Sequence, residues 1–234
     1  MKPAAKYGSI GQVSIRQSTG VMSERSQSVP VDRSRPRVKI AITGDYYTRI
    51  CDYSNSDIFR DIEMLGGVVM LSPTMSDFAK YNTYQKPIGA FHHRKPGEMI
   101  ATFIARGVVN SKERKVRRLF GDSLDYDIPM EYRRSMKNIL PYMDEKLPCG
   151  LTGTVASIME QINAGADGIL NLITFHCTYG LVISSVLTSL DKDYPDLPKL
   201  TLILEGLKPT HNRVRLEAFM ERVRTNKFQT PSTK

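Results

Sequence analysis

The sequence predicts an α/β fold: a doubly wound, mostly parallel four-stranded sheet with helices on both faces and a helical insertion. Three observations carry this expectation. Four short runs, VKIAIT (Val38–Thr43), VVML (Val68–Leu71), ILNLITF (Ile169–Phe175) and LTLIL (Leu200–Leu204), are apolar almost throughout, as strands buried on both faces are. Stretches with helical periodicity separate them. Turn residues punctuate their ends, with Gly44-Asp45, Gly66-Gly67 and the cluster Gly165, Asp167 and Gly168 where strand–helix connections belong. Strands that alternate with helices imply parallel pairing with both faces covered.

The elements follow in order. Val38–Thr43 ends in the Gly44-Asp45 turn. Asn55–Leu65 reads as a helix with Ile58, Ile62 and Leu65 on one face, capped by Asn55 or Ser54. Gly66-Gly67 stops it and VVML completes a βαβ unit. The helical insertion occupies about 74–147. Within it Glu98–Phe120 places Met99, Ile100, Phe103, Ile104 and Val108 at helical spacing and runs into a basic stretch, Lys112–Arg118. Met130–Met143 is a further helical segment that ends near Pro141. Alternation then resumes with the helix Thr152–Asn163, the strand Ile169–Phe175, the helix Thr178–Leu190, the turn Asp191–Pro198, the strand Leu200–Leu204 and a last helix, Asn212–Arg224. The organisation expected is a disordered basic leader (1–37), a single α/β domain (38–224) and a flexible tail (225–234).

Composition narrows the function classes. The chain has 234 residues, 41% of them hydrophobic, enough for one good-sized core or two small ones. No run approaches the length of a membrane span and the N-terminus lacks a signal-peptide pattern, so no membrane association is expected. Three cysteines at unrelated spacings argue against a disulfide framework and for a reducing, cytoplasmic setting. Neither CxxC nor a Cys/His finger spacing occurs, which disfavours a self-contained structural zinc site. The net charge is +9, but seven basic residues of the leader (Lys2, Lys6, Arg16, Arg25, Arg33, Arg35 and Arg37) against Glu24 and Asp32 account for a surplus of five. The remaining four are ordinary for a domain of this size, and no nucleic-acid partner is expected. Neither a Walker-type loop nor GxGxxG is present, so nucleotide hydrolysis is not expected.

The stretch with most chemical content is GADGILNLITFHCTYG, Gly165–Gly180. It delivers Cys177 to the carboxyl end of a buried strand and the first turn of the next helix, with His176 beside it. Ligands of open α/β sheets sit outside the carboxyl ends of such strands. A helix N-terminus also favours the thiolate that ligates metals or attacks electrophiles. Asp45 and Glu205 follow two other strands and share the same expected crevice. The plainer readings are that Cys177 is a small buried hydrophobe, that Asp45 and Glu205 cap turns, and that His176 is hydrogen-bonded in its turn. His92 and His93 read as solvated loop, Lys112–Arg118 as a solvated helix face, and Cys51 as packing.

At this point the chain resembles a known family. GADGILNLITFHCTYG followed by LTLILEGLKPTHNRVRLEAFM resembles the 2-hydroxyacyl-CoA dehydratase and benzoyl-CoA reductase family, closest to the C-terminal lobe of acyl-CoA dehydratase activase-like proteins. The matching positions are Asp167, Gly168, Phe175, Cys177, Gly180, Glu205, Gly206, Asn212, Arg215, Glu217 and Phe219, and the likeness spans roughly Val38–Arg224. Where the family has Cys-Met-Pro-Gly, this chain has Cys177-Thr178-Tyr179-Gly180, and the family's first lobe, which supplies further cluster cysteines, has no counterpart.

The resemblance implies a component of an acyl-CoA dehydratase/activase-like system. It would be a stand-alone lobe contributing Cys177, with Cys149 on the loop before a helix as a second ligand, to an iron–sulfur cluster of the 4Fe-4S type for low-potential electron transfer. A protein partner supplying the missing lobe, or a second copy, would complete the site. Acyl-CoA would be reached only through that complex, and no catalytic residue is assigned. The alternative is a non-catalytic α/β scaffold or partner-binding module that has lost the cluster, which the altered Thr178-Tyr179 favours.

Overall fold

Four apolar runs become four strands of one sheet. The computed structural model describes residue 28 and residues 35–71, 96–120, 132–144, 146–175, 177–204 and 210–228. Strands β1 (Val38–Gly44), β2 (Gly67–Leu71), β3 (Gly168–Thr174) and β4 (Lys199–Leu204) pair in parallel in the order β2-β1-β3-β4. Ile42 of β1 lies opposite Leu71 and Leu170, and Leu170 opposite Leu200. Eight helices are described: α1 (Tyr46–Ile50), α2 (Asp52–Asn55), α3 (Ile58–Met64), α4 (Pro96–Phe120), α5 (Tyr132–Ile139), α6 (Cys149–Asn163), α7 (Thr178–Ser189) and α8 (Thr210–Phe228). Among the described residues no helix is long and apolar enough to cross a membrane.

The core has two layers because successive strand residues point to opposite faces. On one face Ile40, Ile42, Leu170, Leu172 and Leu202 pack against Ile58 and Ile62 of α3 and Leu216, Phe219, Met220 and Val223 of α8. On the other, Ala41 and Ile169 meet Val155, Ile158 and Met159 of α6 and Ile183, Val186 and Leu187 of α7. Each fully buried aliphatic side chain of this kind contributes about 1.5–3 kcal/mol. Met136 and Ile139 of α5 join the second layer, and Ser135 of α5 donates to Glu160 of α6 at 2.7 Å. The later part of the expected insertion thus belongs to the core.

Two glycines set close approaches. Gly44 ends β1 with φ +109°, and a Cβ there would lie 1.9 Å from the Leu172 carbonyl oxygen. At Gly168 a Cβ would come within 2.7 Å of Val223 Cγ2, so α8 rests directly on the strand.

Several boundaries differ from expectation for physical reasons. The helix expected over Asn55–Leu65 is broken, because Ser56 and Asp57 adopt left-handed backbone with φ 57° each. Asn55 consequently closes α2 and donates to the Thr48 carbonyl at 3.1 Å instead of capping α3. Phe175 lies beyond β3 and is exposed. The tail residues 225–228 continue α8, held by Lys227, which donates to Asp167 at 2.6 Å and to the Arg37 carbonyl at 2.9 Å. The rest of the tail, His92, His93 and most of the leader lie outside the described residues. On α4, Ile100, Phe103, Ile104 and Val108 form the expected helical stripe yet are all more than half exposed. Helical spacing predicts the stripe but not a partner for it.

Candidate functional site

The strand order creates a switch point. From β1 the chain moves to β2 on one side, whereas from β3 it moves to β4 on the other. The loops after β1 and β3 therefore part above neighbouring carboxyl ends, the place where open α/β sheets hold ligands.

Asp45 and Cys177 flank this point. Asp45 follows β1 and its backbone N–H donates to the Leu172 carbonyl of β3 at 2.8 Å. Its Oδ1 accepts from the Thr48 N–H at 3.0 Å and the Thr48 hydroxyl at 3.1 Å. Asp45 thus occupies the crevice edge while serving as the cap of α1. Cys177 takes the corresponding place after β3 as the N-cap of α7. Its N–H donates to the Thr174 carbonyl at 3.1 Å, and its Sγ accepts from the Gly180 N–H at 3.4 Å. The sulfur is half-buried rather than sunk in the core, and it faces an amide donor and the positive end of the α7 dipole.

Cys149 is the first residue of α6, after Pro148, a correction to its expected place on the preceding loop. A Cβ on Gly150 would lie 2.9 Å from the Tyr179 ring, so the first turns of α6 and α7 touch. Two cysteines are therefore carried on converging helix starts at the carboxyl end of the sheet. Glu205 directly follows β4 and His176 separates Phe175 from Cys177 in the chain, and both lie outside the described residues. Among the described residues no group of three His, Cys, Asp or Glu side chains is placed to hold a metal ion.

Cys51 is not the packing residue its sequence context suggested. It is half-buried, and its Sγ donates to the Tyr47 hydroxyl at 3.4 Å. The hydrogen bond with the Tyr47 phenol, helped by the backbone amides of Ser54 and Tyr53, lowers the thiol pKa, and the same contact raises that of Tyr47. Its four-residue separation from Tyr47 was the available signal, since α1 brings such positions together.

Most positions that carry the family resemblance have identifiable roles in the fold. Asp167 accepts from the Lys39 N–H and from Lys227, both at 2.6 Å, joining β1 to the end of α8. A Cβ on Gly180 would come within 2.5 Å of Ile173 Cγ2. Asn212 donates to the Ile203 carbonyl at 3.0 Å and Arg215 to the Thr201 carbonyl at 2.8 Å, covering the outer edge of β4. Glu217 pairs with Arg213 at 3.2 Å, and Phe219 is buried on the sheet-facing side of α8. No protein-family model, curated protein or solved structure matches this chain.

A polar group that sequence reading passed over lies deeper. Asn171, fully buried in the middle of β3, donates to Ser184 Oγ of α7 at 3.1 Å and to Thr201 Oγ1 of β4 at 3.3 Å. Its signal was a single polar residue within ILNLI.

Proposed function

We propose that this chain contributes Cys177, together with Cys149, to an iron–sulfur cluster whose remaining ligands come from a partner chain or a second copy. It would act within an acyl-CoA dehydratase/activase-like electron-transfer system. The observation that carries the reading is the half-buried Cys177 sulfur at the β1/β3 switch point, with the start of α6 against the start of α7. Thiolates are the ligands such clusters require, and a cubane takes four. Two from one chain fit half of that set, which is why the reading includes a partner. When bound, the cluster would supply one-electron chemistry. The chain's own part is to hold the Cys177 thiolate beside the Gly180 amide and to bring the start of α6, which carries Cys149, against the start of α7.

A second reading has its own support. Asp167, Gly168, Gly180, Asn212 and Arg215 are all accounted for by the fold, as in a scaffold or partner-binding module that has lost the cluster. Anaerobic purification with co-expressed neighbouring proteins, followed by iron and acid-labile sulfide analysis, separates the two. The cluster reading predicts iron in the complex, substoichiometric iron or none in the isolated chain, loss of iron in Cys177→Ser, and retention in Cys51→Ser. A complete, stable cluster in the isolated chain carrying Cys177→Ser would sink the assignment. Iron-free complexes would leave the scaffold reading in front.

A further inference from the structure

A cleft of about 320 Å³ opens beside β4, between α7, the turn that follows it and α8. Its polar walls are Ser184, Thr188, Asp191, Lys199, Thr201 and Arg222, and none of the crevice residues around Cys177 lines it. Its volume is at the small end of ligand pockets, which span about 300–1,000 Å³ and are mostly apolar. A polar lining points to a small polar occupant.

The hydrogen bonds decide which wall groups are available. The Lys199 ammonium, only 8% exposed, donates to Asp191 Oδ1 at 2.6 Å and to the carbonyls of Tyr194 and Leu197 at 2.8 and 3.0 Å. Its three donors are thereby used, and it holds the turn of the wall in place. Ser184 spends its hydrogen on the Gly180 carbonyl at 2.8 Å, and Thr188 on the Ser184 carbonyl at 3.1 Å. The Thr201 hydroxyl accepts from buried Asn171 at 3.3 Å, which leaves its own hydrogen to turn toward Ser184 or into the cleft. Arg222 of α8 has no ion-pair or hydrogen-bond partner among the described residues. Its planar fork matches a carboxylate or phosphate in a bidentate manner. The cleft therefore offers one uncommitted cation, one hydroxyl donor, and acceptors at Thr188 Oγ1 and the second oxygen of Asp191.

We propose that this cleft binds a small polyhydroxylated molecule bearing one carboxylate or phosphate, with the anionic group on Arg222 and hydroxyls on Thr201, Thr188 and Asp191. An apolar ligand would strand these polar groups. An occupant with a second anionic group would meet Asp191 with no second free cation. This inference is independent of the cluster reading.

Calorimetric titration of the full chain with D-gluconate, glycerol 3-phosphate and glycerol tests it. Saturable binding of at least one anion is expected, and glycerol should not bind. Gluconate alone would identify a carboxylate ligand, and glycerol 3-phosphate alone a phosphate. Arg222→Ala should weaken binding about tenfold or more, since a charge-assisted pair is lost, and Arg222→Lys should weaken it less. Arg213→Ala, on the same helix but paired with Glu217, should leave it unchanged. Arg222 is exposed, and circular dichroism checks that its variants fold. Absence of binding by both anions at about 10 mM, about tenfold above a millimolar dissociation constant, would overturn the proposal. So would equal binding of glycerol, or affinity indifferent to Arg222→Ala.

Discussion

The two faces of the sheet are built from different materials. Toward α3 and α8, every sheet residue of the buried cluster is aliphatic: Val38, Ile40, Ile42, Leu170, Leu172, Leu202 and Leu204. Toward α6 and α7, Thr43, Asn171 and Thr201 stand in register across three strands, one step along from aliphatic Ala41 and Ile169. Thr43 Oγ1 and Asn171 Oδ1 are buried without a hydrogen-bond partner among the described residues, a costly arrangement. Both cysteine-bearing helices pack on this second face, and the cleft opens at its β4 edge, between α7 and α8. The first face is aliphatic along every strand, whereas the second buries polar groups among its apolar ones.

The largest expected effect tests the apolar face. Leu202→Ala, at a fully buried position, should destabilise by about 2–5 kcal/mol, read as a lower urea midpoint with an unchanged denaturant slope. On the polar face Asn171→Ala removes two hydrogen bonds but also relieves an unpartnered buried oxygen. Its cost should be about 1–2 kcal/mol. A loss at Asn171 equal to that at Leu202 would erase the contrast between the faces.

Smaller effects sharpen the comparison at the crevice. Cys51 has a lowered thiol pKa through Tyr47, so its thiolate persists to lower pH than that of an ordinary cysteine. Iodoacetamide alkylation of Cys51 should rise with pH at a midpoint below the usual thiol range, and Tyr47→Phe should move that midpoint up. The sign for stability is the same as for a depressed acid. Any contribution is present above the unfolded thiol pKa and fades as pH falls through the folded value. An unchanged midpoint in Tyr47→Phe would remove the phenol as the cause.

The sheet was legible because a strand buried on both faces announces itself as a short apolar run, and each of the four runs became a strand. The strand order was not, since such runs carry no periodic mark of which neighbour they pair with. Asn171 was hidden for the same reason, as one polar residue in an apolar run resembles noise until Ser184 and Thr201 are seen around it. Cys177 was legible because a strand–helix junction fixes its surroundings locally. The break at Ser56 and Asp57 was not, because left-handed backbone at non-glycine residues leaves no mark in the helical spacing of the apolar residues around it. The exposed stripe on α4 shows the limit of periodicity, which locates a face without naming its cover.

The central claim is that Cys177 is a ligand held at the crevice, and differential maleimide labelling read by mass spectrometry tests it most directly. Chain purified anaerobically with its co-expressed partners is labelled before and after iron is removed by a chelator. The account predicts that Cys177 resists labelling while iron is bound and reacts once it is removed, whereas Cys51, outside the cluster, reacts in both states. Equal labelling of Cys177 before and after chelation would contradict it.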